Sequence, residues 1–395
     1  MTGLGVASVS SVSSASSASS GLTVSLQPCP APEQLAPEWQ ALEAQAEPSF
    51  FTSWAWIACW LAHLRPEQRP ALVRVHRGPE LVGLGVLLQQ AKRRLRWWPS
   101  LALHLHATGQ SVQDDITTEH NGWLARRDLV EQVEAAVAMQ LWALAPRVDQ
   151  IRVPGVSARH DRWRGFAAPV REVREHTEKA YRVDLAQVRA CGRAYLDSLG
   201  SPTRSSIRRS LRLYEGLGPL ALTAAATVDQ GLAFLARLKH FHQAAWQARG
   251  RPGAFANPLF EDFHQRLVRS GLPAGQVQLL RLTAGPEEVG YLYNFVHGGQ
   301  VLAYQSGFHF GLTERNHHPG LVTHAQAVQQ ALVAGLDGYD FLAGEARYKQ
   351  QLANQTYPMT TFTLQRPSLG WRLEQLWRGC QDWRQRLRSH VRMPG

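Results

Sequence analysis

Glu345, Tyr348 and Lys349 stand close together in the run Tyr339-Asp340-Phe341-Leu342-Ala343-Gly344-Glu345-Ala346-Arg347-Tyr348-Lys349. A carboxylate held where its pKa is raised can take a proton from an attacking ammonium or hydroxyl, so Glu345 is the first choice for a general base. An ammonium can bind a phosphate or steady an oxyanion as charge develops, which suits Lys349. Each has a plainer reading: a solvated turn for Glu345, packing for Tyr348 and a solvated helix end for Lys349. Asp340 lies inside an apolar run, and a carboxylate there requires a partner. That partner belongs either to the structure or to a bound acceptor.

Such groups need an element that holds the other reactant. Upstream, His318-Pro319-Gly320 opens a helix-like run that ends near Gly335. A helix start carries unpaired N–H groups and partial positive charge, enough to hold a pyrophosphate without a cationic side chain. His318, Gly320, Leu321 and Val322 are therefore the donor-binding candidates, although Gly320 also serves a tight turn. His317 and His318 lack metal-ligand partners at suitable spacing, so no metal is expected. Arg204, Arg208 and Arg212 recur every four residues beside Ile207 and Leu211, forming either a solvated face or a wall for an anionic acceptor. His242 and Trp246, one turn apart, fit either core packing or an aromatic floor for a sugar or acyl chain.

Leu35, Trp39 and Leu42 are at helical spacing, and a second helix spans Trp54 to Trp60. Leu72–Val75 and Leu81–Leu88 read as strands around a Gly78-Pro79 turn, followed by an amphipathic helix from Asp128 to Ala145 and a strand at Ile151–Val153. Arg159 to His176 is polar and reads as irregular. Helices follow at Ser201–Gly216, Val228–Arg249 and Leu259–Val268. Strands then cover Val277–Leu282, Glu288–Val296, Val301–Phe308, Tyr339–Leu342 and Thr361–Leu364. Gly78-Pro79-Glu80-Leu81-Val82-Gly83 and Gly285-Pro286-Glu287-Glu288-Val289-Gly290 agree at five of six positions. Common turn chemistry explains such an echo, and so does duplication of one α+β unit.

The 395 residues exceed one ordinary core. The net charge of +11 comes from 42 cationic side chains, only four of them lysines, which fits anionic partners or a codon bias toward arginine. Cys29, Cys59, Cys191 and Cys380 are scattered, as expected in a reduced cytoplasm. No apolar stretch is long enough to span a bilayer. Met1 to Gly21, rich in Ser and Ala, reads as a disordered tail and not a secretion signal. After Pro367, Trp371, Leu376, Trp377, Cys380, Trp383 and Leu387 alternate with arginines in a basic amphipathic helix. That helix suits an anionic membrane surface or packing back on the protein. Nucleophile elbows, Walker loops and dinucleotide fingerprints are absent from the sequence.

Thr203-Arg204-Ser205-Ser206-Ile207-Arg208-Arg209, the run Trp246 to Phe255, His318-Pro319-Gly320 and Tyr339 to Lys349 together resemble the CelD-type acetyltransferase family of the GNAT superfamily, related to the Fem peptidyltransferases. The resemblance implies an α+β (α/β) fold of two tandem GNAT-like domains, each a mixed, mainly antiparallel sheet flanked by helices. The expected division is a tail at 1–24, a first domain at 25–190, an acyltransferase domain at 191–365 and a basic helix at 366–395. It implies strands splayed at Val301–Phe308 and Tyr339–Leu342, acetyl-CoA or another acyl-CoA as donor, and no metal. Tyr348 would protonate the leaving thiolate, as Tyr does elsewhere in the superfamily. The family association suggests a cytoplasmic enzyme whose small-molecule or glycan-precursor acceptor is an amine or hydroxyl on a route to exopolysaccharide, cellulose or envelope material. No DNA partner is expected. Asn316-His317-His318-Pro319-Gly320-Leu321 has one glycine where the superfamily's phosphate loop has several. Fem-type relatives use aminoacyl-tRNA, so a tRNA-linked donor is the alternative, and a silent binding module the third. The first domain shows no comparable loop and is expected to be a non-catalytic wall of the cleft.

Overall fold

The computed structural model describes residues 13–16, 21–144, 147–157, 172–312 and 317–391. Most of the expected tail and of the expected irregular region, with Asn316, lies outside them. Within the stretch read as a tail, Ser13–Ser16 is instead a strand (β1) against Leu22–Pro28 (β2). Backbone pairing with a neighbour decides this, not composition.

The first half continues with α1 (Pro32–Glu43), α2 (Trp54–His63), β3 (Ala71–Arg77), β4 (Glu80–Arg94) and β5 (Trp98–Leu105). After α3 (Ser111–Asp114) and β6 (Leu124–Ala125), helix α4 (Val130–Leu144) crosses over to β7 (Gln150–Ser157), and β8 (Glu172–Asp184) closes the half. Strands β2 to β5 are antiparallel neighbours, and β5 then pairs with β7 in parallel.

Next come the short helices α5 (Leu185–Ala190) and α6 (Tyr195–Ser198), then α7 (Ser201–Glu215), β9 (Leu220–Ala224), α8 (Val228–Gln247) and α9 (Pro258–Gly271). Three strands follow: β10 (Val277–Ala284), β11 (Glu287–His297) and β12 (Gln300–Phe308). Helix α10 (Pro319–Val333) leads to β13 (Gly338–Ala343), α11 (Arg347–Leu352), β14 (Gln355–Gln365) and α12 (Leu369–Val391). Again four strands run antiparallel, β9 to β12, and the crossover helix delivers a parallel partner, β13, to β12. The echoed glycines, Gly78 (φ 59°) and Gly285 (φ 58°), turn the equivalent β3–β4 and β10–β11 hairpins, where only glycine accepts a positive φ cheaply. The two halves repeat one topology.

They also exchange strands. β8, from the first half, lies between β13 and β14, and β14, from the second, lies between β7 and β8. The β8–β14 pairing runs from Glu172↔Gln365 to Arg182↔Gln355, so one sheet crosses the whole molecule. The region read as irregular up to His176 thus becomes strand from Glu172. It escapes a pattern search because His176 to Lys179 are exposed and, among the described side chains of β8, only Ala180, Tyr181 and Val183 are buried. A shared core adds to the join: Phe50 stacks on Phe295 at 4.1 Å, and Trp56 meets Phe263 edge-on at 4.9 Å.

Candidate active site

Strands β12 and β13 pair only from Gln300↔Gly338 to Leu302↔Asp340 and then part. At the point of parting β13 is irregular, for its register against β8 slips between Asp340 and Ala343, and Leu342 has φ 62°. Side chains hold this bulge. Asp340 Oδ1 accepts the Leu342 N–H at 2.7 Å, and Glu119 Oε2 accepts the Ala343 N–H at 2.8 Å. Lys349 donates to the carbonyls of Leu342 and Ala343. Tyr357 donates to Asp340 Oδ2 at 2.6 Å, and His120 Nε2 lies 3.0 Å from the Tyr357 hydroxyl and 3.4 Å from Asp340 Oδ2.

Glu119 and His120 come from the first half. Their segment wedges into the gap of the second, where Tyr304 of β12 donates to the Ile116 carbonyl while Glu119 holds β13. It also bridges the first half's own parting strands. Asn121 donates to both: its side chain to the Leu105 carbonyl at the end of β5 and its N–H to the Gly155 carbonyl of β7, each at 2.9 Å. Any side chain at Gly155 would strike the Thr118 carbonyl, 2.3 Å from the position of a Cβ. His106, Thr117, His120 and Leu342 all have positive φ around this junction. Non-glycine residues in that region store strain, which tends to collect at functional sites.

A cavity of about 540 Å³ opens here, lined by residues of both halves including Glu119, Glu178, Ala343, His104 and Arg152. Burial pushes the Glu119 carboxyl above the usual range, although the Ala343 N–H and the charges of His120 and Lys349 act against it. Burial likewise lowers the Lys349 ammonium, opposed by Glu119, Asp340 and Glu178. A buried carboxyl shifted toward neutrality beside a cavity can exchange protons with an acceptor.

At α10 the cap residue His318 is exposed with φ 28°, and the Val322 N–H returns to its carbonyl. Pro319 has no N–H, so Gly320 and Leu321 carry the open donors of the first turn. The first half is differently built after β5, where a loop and α3 come before its crossover helix α4. There Asp114 takes the N–H groups of Thr108 and Gly109, each at 2.7 Å, and the Thr108 hydroxyl at 2.8 Å. A carboxylate of the chain itself thus closes the loop before α3.

The structure brings Asp340 and Lys349 together, with Glu119, His120 and Tyr357 added. Glu345 stands apart: its side chain is 61% exposed and lies 3.6 Å from Lys179, outside the buried cluster. Tyr348 is half-buried and stacks on His324 with ring centroids 4.9 Å apart. His242 is buried and joins α8 to β12, its Nδ1 3.1 Å from the Ser306 carbonyl, and Trp246 lies 5.7 Å from its ring. Arg204 donates to the Asp197 carbonyl, and Arg208 reaches the Asp197 carboxylate at 2.7 Å. Both arginines brace α6 against α7. Leu321 and Val322 turn into the core. Among the described residues no group of three or more His, Cys, Asp or Glu side chains could hold a metal ion. Nor is any described helix long and apolar enough to cross a membrane.

Residues 201–350, from α7 into α11, match the family model of the acetyltransferase (GNAT) domain. No curated protein matches the chain in sequence. Among solved structures the chain is similar to that of FemX, at 12% identity and a TM-score of 0.57, with 86% of this chain and 97% of that one covered. It is similar to a conserved protein of unknown function from Bacteroides thetaiotaomicron, at 10% identity and a TM-score of 0.52, covering 83% and 97%. A tandem GNAT protein from the clavulanic acid biosynthesis pathway aligns at 12% identity and a TM-score of 0.44, covering 87% and 99%. The fold is an α+β, GNAT-like mixed sheet flanked by helices, and the likeness to FemX extends it over nearly the whole chain.

Proposed function

We propose that the chain is an acyltransferase that carries an acyl group, acetyl in the simplest case, from an acyl-CoA to an amine or hydroxyl of a small or glycan-precursor acceptor. Envelope or exopolysaccharide material is the destination we favour. The observation that carries this reading is Glu119, a buried carboxyl with a raised pKa set at the parting of β12 and β13 and facing a cavity. Glu119 takes the proton of the attacking acceptor, while Asp340, Tyr357, His120 and Lys349 fix the bulge that places it. The start of α10 holds the donor's phosphates through the Gly320 and Leu321 N–H groups.

Calorimetric titration with CoA, acetyl-CoA and longer acyl-CoAs tests the donor, with Gly320→Asp as control. A Cβ at Gly320 would stand 3.1 Å from the Phe308 ring, so the control's melting temperature is measured as well. The expected result is micromolar binding to the native chain and none to a control that remains folded. If no thioester binds while an aminoacyl-tRNA does, with affinity falling steeply as salt rises, the donor is esterified to RNA and the CoA assignment fails.

A further inference from the structure

Helix α12 presents its apolar stripe outward. Leu369, Leu373, Leu376, Trp377 and Trp383 are 67%, 49%, 69%, 52% and 63% exposed, and at about 100° per residue they and the exposed Cys380 fall on one arc of roughly 120°. Its contacts with the protein use other positions. The Trp98 ring fills the place a Cβ of Gly370 would take, and Arg94 holds Glu374 at 2.6 Å. Those contacts set the first turns of α12 on the β4–β5 hairpin, whose own tip leaves Trp97 81% and Trp98 42% exposed. A surface helix ordinarily turns its apolar face to a core. Two elements thus expose large apolar side chains, tryptophans prominent among them, at one corner of the molecule.

The charge around these residues is predominantly positive. The hairpin tip contributes Lys92, Arg93 and Arg96 with no acidic residue between them, Arg94 being buried against Glu374, and the α12 sequence carries five arginines against Glu374 and Asp382. Tryptophan settles at the boundary between headgroups and acyl chains, and each Lys or Arg near an anionic leaflet adds attraction. A two-fold contact between copies of this chain would set the basic patch against itself.

We infer that α12 and the β4–β5 hairpin tip dock the protein on an anionic lipid surface, with the α12 stripe and Trp97 at the headgroup boundary and the arginines on the phosphates. This surface is independent of the assignment of Glu119 and of the donor. The test is flotation of the full chain with vesicles of phosphatidylglycerol mixed into phosphatidylcholine and with phosphatidylcholine alone, reading tryptophan emission in parallel. The native chain floats with the anionic vesicles, its emission shifts to the blue, and salt weakens the binding. The variant Trp97→Ser/Trp377→Ser/Trp383→Ser changes exposed residues only, so it retains its melting temperature but loses at least about tenfold in vesicle affinity. Equal binding by variant and native chain overturns the proposal, as does a failure of the native chain to bind anionic vesicles. Sedimentation equilibrium gives the remaining outcome: a dimer that the triple substitution dissolves would assign the stripe to self-association and also overturn it.

Discussion

Leu342 adopts a left-handed backbone that costs an ordinary residue about 1–2 kcal/mol, and it does so between two strands that are separating. Asp340 and Glu119 take its N–H and that of Ala343, and Lys349 takes both carbonyls, so the strained turn is fixed at each polar atom. Part of this was legible. An acid within the run Tyr339 to Leu342 announced a partner, and Lys349 stood out in a chain with four lysines. Glu119 was not legible, because 224 residues separate it from Ala343 and its neighbours Thr117, Thr118 and His120 look like any polar loop. Proximity in sequence favoured Glu345 instead, yet a turn leaving a strand faces water as readily as a cleft. The two carboxylates make opposite predictions. Glu119→Gln preserves the hydrogen bond from Ala343 but cannot take a proton, so kcat for acyl transfer should fall by about 10²–10⁴ with donor affinity unchanged. The acidic limb of the pH–rate profile, set by the raised carboxyl, should vanish with it. Glu345→Gln should alter kcat less than about twofold, since an exposed ion pair of this kind contributes little. Steady-state kinetics of both variants against pH decides between them.

At the scale of elements, amphipathic helices such as α4, α7 and α9 and the strands β10 to β12 were readable, because each buries one face or a continuous apolar run. Elements defined by their neighbours were not. β8 is polar over its exposed stretch and exists through its ladder with β14, while β9 is an edge strand with little buried surface. The two βα loops show the same limit. One begins a fifteen-residue helix at Pro319, the other the short turn Ser111–Asp114, and no pattern marks Asp114 as the group that closes the second loop on itself. Asp114→Asn tests that closure. An amide offers one acceptor oxygen in place of two, so at least one of the Thr108 and Gly109 N–H groups loses its partner, at about 1–3 kcal/mol. Thermal denaturation should register that loss, while the acyl-CoA dissociation constant stays where it was. A variant that instead gained or lost donor affinity would make the first half a donor site in its own right.

The whole molecule is a duplicated unit whose copies cannot be pulled apart without breaking strands. β8 and β14 each belong by sequence to one half and by hydrogen bonding to both, and the aromatic core around Phe50, Trp56 and Phe295 is shared as well. The GNAT family model stops at residue 350, before the strand that completes the exchange. The halves should therefore unfold in one transition, with calorimetric and van't Hoff enthalpies in agreement. Acid should bring that transition on early, because neutral histidines are buried on both sides of the junction. Burial lowers His104 to about 3 and His106 to about 4 in the first half, and His324 to about 3 in the second, while His264 lies well below its ordinary value. The unfolded chain protonates these rings near pH 6.5 and the folded chain does not, so their contribution is complete above that pH and is lost as pH falls toward their folded values. Each ring contributes a slope of about 1.4 kcal/mol per pH unit across that window. The raised carboxyls of Glu43, Asp114 and Glu119 act in the opposite sense, binding protons in the folded chain first, and offset part of the slope. Burial lowers His63, His242 and His297 as well, so among the described residues seven rings against three carboxyls leave the melting temperature falling from about pH 6.5 toward pH 5, where the rings titrate ahead of most carboxyl groups. Differential scanning calorimetry across that range should show one peak moving down together. Two peaks, or a first half that melts at a temperature independent of pH, would mean that the exchanged strands do not couple the halves.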